Sequence, residues 1–303
     1  MGRRALLEKA RTNLHSGFQG SWGWLRLGCV VAVAFWAGQA SAEATGLRIA
    51  SWNVEHLAAP GAGCRARSAA DYAALRSAVE RISADVWLFQ EVESAEALAL
   101  ILPGRRGAWS IHIERRAARH QGGTCSTGRG VLTAQHTAIA VRRGVAAVRL
   151  DDVDLDGPGN LRNMVRVAVG SENRQIEVAS VHLKSGCASG IVGQSCGKVD
   201  RQLRALTAWA AARKSAAPLV IGGDFNRFLS PSDPLSTSMA AAGLVVTDGA
   251  SPDCWRRGRR IDHFALDRKA AEQLITDQAA PRSGAIGLSD HCPITLKLSP
   301  RAP

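Results

Sequence analysis

The sequence predicts an α/β protein in which two packed β-sheets carry helices on their outer faces. Three observations predict it. Strand-like segments outnumber helix-like ones, the pattern recurs in two similar halves, and no proline- or serine-rich linker divides residues 43–303. With 303 residues, 46% apolar and 21% charged, the chain has material for a large core, which excludes a disordered or fibrous class.

The first 42 residues stand apart. Residues 27–38, "LGCVVAVAFWAG", form an apolar run behind Arg3, Arg4, Lys9, Arg11 and Arg26, and a small-x-small site follows at Ala40-Ser41-Ala42. The run is short for a membrane span. The expectation is an export signal, residues 1–42, cleaved after Ala42 and directing the chain to the periplasm or exterior. An uncleaved membrane anchor is the alternative.

Beyond it, residues 47–54 read as a strand and 71–82 as an amphipathic helix. A strand at 85–92 leads to a short helix at 94–102 opened by a serine cap. Residues 108–114, 137–143 and 161–169 read as strands in antiparallel succession, and 176–183 as another. A helix at 198–214 runs into "VIGGDFNR" at 220–227, which starts as a buried strand and ends in polar residues. A short helix near 233–242 and strands at 244–248, 260–266 and 292–298 complete the chain, with surface loops at 115–136 and 184–197.

Six cysteines follow the leader: Cys64, Cys125, Cys187, Cys196, Cys254 and Cys292. An even number in an exported chain points to disulfides. Cys187–Cys196, closing a short loop, is the first expectation, and Cys64–Cys125 and Cys254–Cys292 are the others. A zinc site is the rival, but no CxxC occurs. Without the leader the chain has 33 Lys+Arg against 25 Asp+Glu, a net charge of +8 that favours polyanionic partners.

Several apolar runs end in ligand-type residues. Asn53 and Glu55 close the first, Glu91 the next, His182 and Lys184 a third, and Asp224 and Asn226 a fourth. Asp262 follows "RI", and Asp290 and His291 fall within "LSDHCP". Period-two alternation puts each i, i+2 pair on one strand face. Buried carboxylates need partners or a cation. Each residue alone has a plain structural explanation, such as a turn, an ion pair or a satisfied core histidine, but their recurrence after apolar runs points to one pocket. Such a pocket offers hard oxygen ligands and two imidazoles, which suits Mg²⁺ or Mn²⁺.

With "NVE", "QEV", "VHLKS", "GGDFN", "IDH" and "SDH" in that order, the chain resembles the endonuclease/exonuclease/phosphatase superfamily across nearly all of residues 43–303. The resemblance implies a deoxyribonuclease I-like four-layer α/β sandwich, two mixed sheets face to face with helices outside. It implies that Glu91 is the principal Mg²⁺ ligand, with Asn53, Glu55 and Asp290 assisting directly or through water, and Ca²⁺ as a possible helper ion. Asp224 would orient or deprotonate the attacking water, and Asn226 would hold a phosphate oxygen. His291, oriented by Asp262, and His182 would bind the scissile phosphate and serve acid/base roles. Two departures stand out. Relatives resembling deoxyribonuclease pair the second histidine with an acid, for which Glu114 lies in a plausible region, and His263 follows Asp262 where the family often has arginine.

The motifs specify a phosphoester and leave the substrate to the loops. "CWRRGRRIDH" carries Arg256, Arg257, Arg259 and Arg260 beside a tryptophan, and "HIERRAARHQGG" at 112–123 is a second basic loop. With Lys184 these could clamp phosphates and stack on bases. The expected activity is that of a DNA or RNA endonuclease, cutting phosphodiester bonds by metal-assisted in-line attack of water. An anionic lipid headgroup is the alternative substrate and a non-catalytic binding module the third reading. No obligate protein partner is called for, and a monomer is expected.

Overall fold

Alternating apolar residues build the first strand, β1 (Leu47–Leu57), and the helix α1 (Ala69–Ile82) follows, its Ser68 and Asp71 forming a reciprocal capping box. The order continues β2 (Val86–Val92), α2 (Ala95–Ala99) capped by Ser94, β3 (Trp109–Ile113), β4 (His136–Arg142), β5 (Ala147–Arg149), β6 (Val165–Val169) and β7 (Ile176–His182). Then come α3 (Gln194–Ala212), β8 (Leu219–Asp224), α4 (Pro234–Ala241), β9 (Leu244–Thr247), β10 (Asp262–Asp267), α5 (Arg268–Ala271), β11 (Leu274–Ile275) and β12 (Ile294–Leu298). The computed structural model describes residues 46–116, 122–126, 128, 130–157, 161–171, 174–190, 193–249, 260–275 and 287–299. All belong to one unit, Ser41–Pro303, and the expected export signal lies outside them. No helix among them is long and apolar enough to cross a membrane.

Two six-stranded mixed sheets result, ordered β11-β12-β1-β2-β4-β3 and β5-β6-β7-β8-β10-β9. Each has one parallel pair at its centre, β1 with β2 and β7 with β8, flanked by antiparallel neighbours. This is the predicted pair of sheets. One expectation needs correction: segment 161–169 does not continue an antiparallel succession from β4. Its strand begins at Val165 and pairs β5 and β7 in the other sheet, so the chain crosses between sheets after β4. β5, α5 and β11 are too short to leave a periodic signal.

Three apolar layers hold the fold. Ile49, Val86, Leu88, Ile139, Val178, Val220, Phe264 and Leu296 fill the space between the sheets. Trp52, Trp87 and Phe89 pack outward with Leu75, Val79 and Leu98 of the helices on the first sheet. Ile221, Phe225 and Ala265 do so with Leu203 and Leu206 of α3 on the second. The inter-sheet rows change character along each strand: Ile49, Ser51, Asn53; Val86, Leu88, Gln90; Val178, Ser180, His182; Val220, Gly222, Asp224; Leu266, Phe264, Asp262. Gln90 Nε2 crosses the gap to Ser180 Oγ (3.0 Å) and also lies 3.3 Å from Ser51 Oγ, marking the change from apolar to polar.

Two glycines permit the close approach in β8. A β-carbon on Gly222 would sit 2.7 Å from Leu88 Cδ1 and from Phe264, and one on Gly223 would collide with Val181 O from a φ of 155°. Gly223→Ala should therefore cost about 3 kcal/mol or more, read as a lower urea midpoint. A loss under about 0.5 kcal/mol would show that the strand accommodates a side chain.

Disulfides join Cys64 to Cys125 and Cys187 to Cys196. Cys292 is also disulfide-bonded, and its expected partner Cys254 lies outside the described residues. The first two bonds span 61 and 9 residues. Chain entropy gives about 4 kcal/mol for the long loop and about 2.5 kcal/mol for the short one. Paired Cys→Ser variants should rank that way in urea titrations.

Candidate active site

Strand register assembles the site before any side-chain contact is considered. His182 on β7 stands opposite Asp224 on β8, and Asp224 opposite Asp262 on β10. The three form one row across the second sheet, facing inward. From the first sheet Asn53 meets them, its Nδ2 3.0 Å from Asp224 Oδ2 and 3.3 Å from Glu91 Oε1. His291, on the loop before β12, donates from Nδ1 to Asp262 Oδ2 at 2.7 Å and brings Nε2 within 3.6 Å of Asp224 Oδ2. That loop is pinned by Ser289 Oγ, which donates to Asn53 O and accepts from the His291 N–H, and by Trp52 Nε1 donating to His291 O.

Glu91 reaches the site through an irregular backbone. Gln90 points inward, so a regular pleat would turn Glu91 outward. Instead Glu91 has φ 61° and the β2–β4 register shifts there, which re-aims the carboxylate. Glu55 and His56 are likewise left-handed, at φ 47° and 53°. Such residues are strained and persist where their surroundings hold them. Arg67 supplies the hold: its buried guanidinium donates to Val54 O, Glu55 O, His56 O and Leu288 O. Burial, then nearby Arg65, lowers its pKa to about 10, which leaves it charged at neutral pH.

The electrostatics push the three buried titratable groups in different directions. Burial pushes the Asp224 carboxyl up to about 7, His291 opposing and Asp262 reinforcing the rise. His291 is also buried, which disfavours its charge, but Asp262, Asp224 and Asp290 outweigh this and hold its pKa well above the ordinary imidazole value. His182 goes the other way: burial first, then Arg162, His291, His56 and Lys184, hold it well below that value, so it is neutral.

The i, i+2 expectation holds only for the first member of each pair. Asn53, His182 and Asp224 face the site. Glu55 turns aside to Arg65 and the Asp290 N–H, so its carboxylate is an ion-pair partner in this arrangement. Asn226, left-handed at φ 51°, donates to Leu183 O and, from its backbone, to Asp224 Oδ1. Lys184 Nζ donates to Ser185 O at the rim. Asn53 presents N–H groups to both carboxylates while its oxygen accepts from the Glu55 N–H, so it spaces Glu91 from Asp224 instead of offering a lone pair. Asp290 is exposed beside His291 Nε2, at 3.9 Å. Glu114 pairs with His136 and not with His182, whose Nδ1 has no hydrogen-bond partner among the described residues. Arg260 pairs with Asp248, as does His263, and Arg256, Arg257 and Arg259 lie outside the described residues.

A family model described as the endonuclease/exonuclease/phosphatase family matches residues 50–291. The chain belongs to that family. Members of the endonuclease/exonuclease/phosphatase family are hydrolases of phosphoester bonds. Among solved structures, D. rerio TDP2 complexed with a single-strand DNA product is similar at 18% identity and a TM-score of 0.56, over 84% of this chain and 98% of that one. The 3′ phosphatase NExo from Neisseria, bound to product DNA hairpin, is similar at 18% identity and 0.54, over 84% and 99%. A mannosyl-6-phosphatase from Bacteroides thetaiotaomicron is similar at 15% and 0.53, over 84% and 99%. At these identities the likeness concerns the fold. No curated protein sequence matches the chain.

Endonuclease/exonuclease/phosphatase enzymes typically depend on a divalent metal, and ligand atoms of Asp224, Asp262 and His291 here lie within 4.8 Å of one another. The oxygen-rich set fits a hard cation: Asp262 Oδ1 is buried with no hydrogen-bond partner among the described residues, and Glu91 and Asp224 are held apart by one amide. Sequence reasoning missed Arg162, whose Nη2 donates to Leu183 O and which acts on Glu91, Asp224 and His182. Arg67 and Gln135 were also missed. Isolated polar residues in loops carry no periodic signal, and only the fold shows what they touch.

Proposed function

We propose that the chain is an exported, Mg²⁺-dependent phosphodiesterase that cleaves nucleic acid. The observation that carries this reading is the row His182–Asp224–Asp262 completed by His291 and faced across the sheets by Glu91 and Asn53.

Glu91 would hold the cation, with Asp290 assisting and water completing the shell. A bound cation supplies charge neutralisation at the equatorial and leaving oxygens. The chain's own residues do the rest. Asp224, near neutrality in its proton affinity and held by Asn53 and the Asn226 N–H, takes the proton of the attacking water. His291 stays protonated through Asp262 at Nδ1 and offers Nε2–H to the phosphate or to the leaving oxygen. Neutral His182 offers a hydrogen bond to a non-bridging oxygen and does not serve as the acid.

Nucleic acid is favoured by the net charge of +8 beyond the leader, by Arg162 and Lys184 beside the pocket, and by the DNA bound in the two structural relatives. The disulfides favour an oxidising destination. The deciding experiment incubates the chain without residues 1–42 with supercoiled plasmid, RNA, sphingomyelin, a phosphoinositide and a sugar phosphate, with Mg²⁺ and with EDTA. Plasmid nicking lost in EDTA is expected. Phosphocholine release with intact plasmid would assign lipid headgroups instead, and release of phosphate from monoesters alone would assign a phosphatase.

A further inference from the structure

His56 has no role in the reaction just described, yet its position is unusual. It adopts φ 53°, a backbone that residues with side chains seldom take, and Arg67 holds its carbonyl there. The His56 N–H donates to Glu91 Oε2 at 3.0 Å. Gln135 Nε2 lies 3.2 Å from the same oxygen and 3.0 Å from His56 Nδ1.

These contacts fix the imidazole tautomer. A carboxylate at Glu91 only accepts, so the end of the Gln135 amide that faces it is the NH₂; the reverse orientation would set oxygen against oxygen. The same NH₂ faces His56 Nδ1, which must therefore accept. The ring proton then resides on Nε2. That atom lies 3.7 Å from Glu91 Oε2, beyond hydrogen-bonding reach, on a side chain 23% exposed. His182 Nε2 lies 3.9 Å from the other oxygen, Oε1, so two imidazoles bracket the Glu91 carboxylate.

We propose that His56 is a substrate-contacting residue whose Nε2–H donates to a non-bridging oxygen of a phosphate that the cation at Glu91 would hold beside it. The inference rests on the phosphoesterase reading above. It adds a third imidazole to the pocket and makes Gln135 a positioning residue that keeps the His56 donor turned outward. The left-handed turn is then what places the ring over the Glu91 oxygen, since a regular strand would carry it past the site.

The test uses ¹⁵N-histidine NMR and kinetics on the chain from residue 43. The ring proton of His56 is expected on Nε2, and its resonance is expected to move further when inorganic phosphate is added to the chain already saturated with Mg²⁺. His56→Asn, which tolerates the left-handed backbone, should keep the melting temperature and lower kcat/KM about 10–100-fold, as expected for a lost hydrogen bond to a charged oxygen. His56→Gln, whose longer side chain carries its amide N–H closer to the place of Nε2 than the shorter Asn does, should recover part of that loss, and Gln135→Met should shift His56 toward the Nδ1–H form. If the wild type cleaves no phosphoester while phosphate still moves the His56 resonance, the reaction reading fails and the contact stands. A ring proton on Nδ1, a resonance indifferent to phosphate, or a His56→Asn enzyme with wild-type kcat/KM would overturn the contact.

Discussion

Glu91→Gln is expected to lower kcat about a thousandfold or more with little change in fold stability. The substitution keeps the shape and can still accept from the His56 N–H, but it removes the charge with which Glu91 would hold a cation. Several kcal/mol of transition-state charge stabilisation then disappear, and about 4 kcal/mol corresponds to a thousandfold in rate. A second readout separates chemistry from folding. Mg²⁺ that binds only the folded chain must raise its melting temperature, and that increment should be present in the wild type and lost in Glu91→Gln. Equal Mg²⁺ stabilisation of both proteins would remove Glu91 as the ligand, whatever happens to the rate.

Asp262→Asn should lower kcat about 10²–10⁴-fold and move one limb of the pH–rate profile. Asp262 is buried and grips His291 Nδ1, so it fixes the tautomer and stabilises the imidazolium. The sign follows from the cause. Asp262, with Asp224 and Asp290, raises the His291 pKa against the effect of burial, so removing the carboxylate must lower it. The limb set by loss of the His291 proton should therefore move to lower pH. His291→Ala should cost a similar factor, and the double variant little more than either single one, because the pair acts as a unit. Additive losses, or a limb displaced upward, would refute the pairing as the source of the acid.

The layered fold and the inward residues were legible because they obey period-two alternation. Asn53, His182, Asp224 and Asp262 each stand at the site end of an inward row that is apolar at its other end, and one sequence is enough to see it. The second members of the pairs were not legible. Glu55 and Asn226 sit at positive φ, where alternation no longer determines direction, and their neighbours decide where they point. Glu91 reached the pocket for the same reason in reverse: a regular strand would have turned it away, and the bulge brought it in. Its likeness to the family's "QEV" singled it out where periodicity could not, and the bulge turns its carboxylate toward Asn53. Arg67 and Gln135 become meaningful only once the fold brings them to the turn at residues 54–56 and to Glu91.

The inter-sheet core also works as a caliper. Leu88, Gly222 and Phe264 touch in the middle of the gap whose far end holds Asn53 between Glu91 and Asp224. Their combined volume sets how far the two jaws stand apart, and the jaws carry opposite halves of the reacting set. A methyl group added to Gly222 would widen the opening of the candidate site although it meets only Leu88 and Phe264. Because close-packed interiors transmit strain, the floor has little freedom to change shape. New substrates would then be acquired by remodelling the rim, with the gauge between the jaws kept constant.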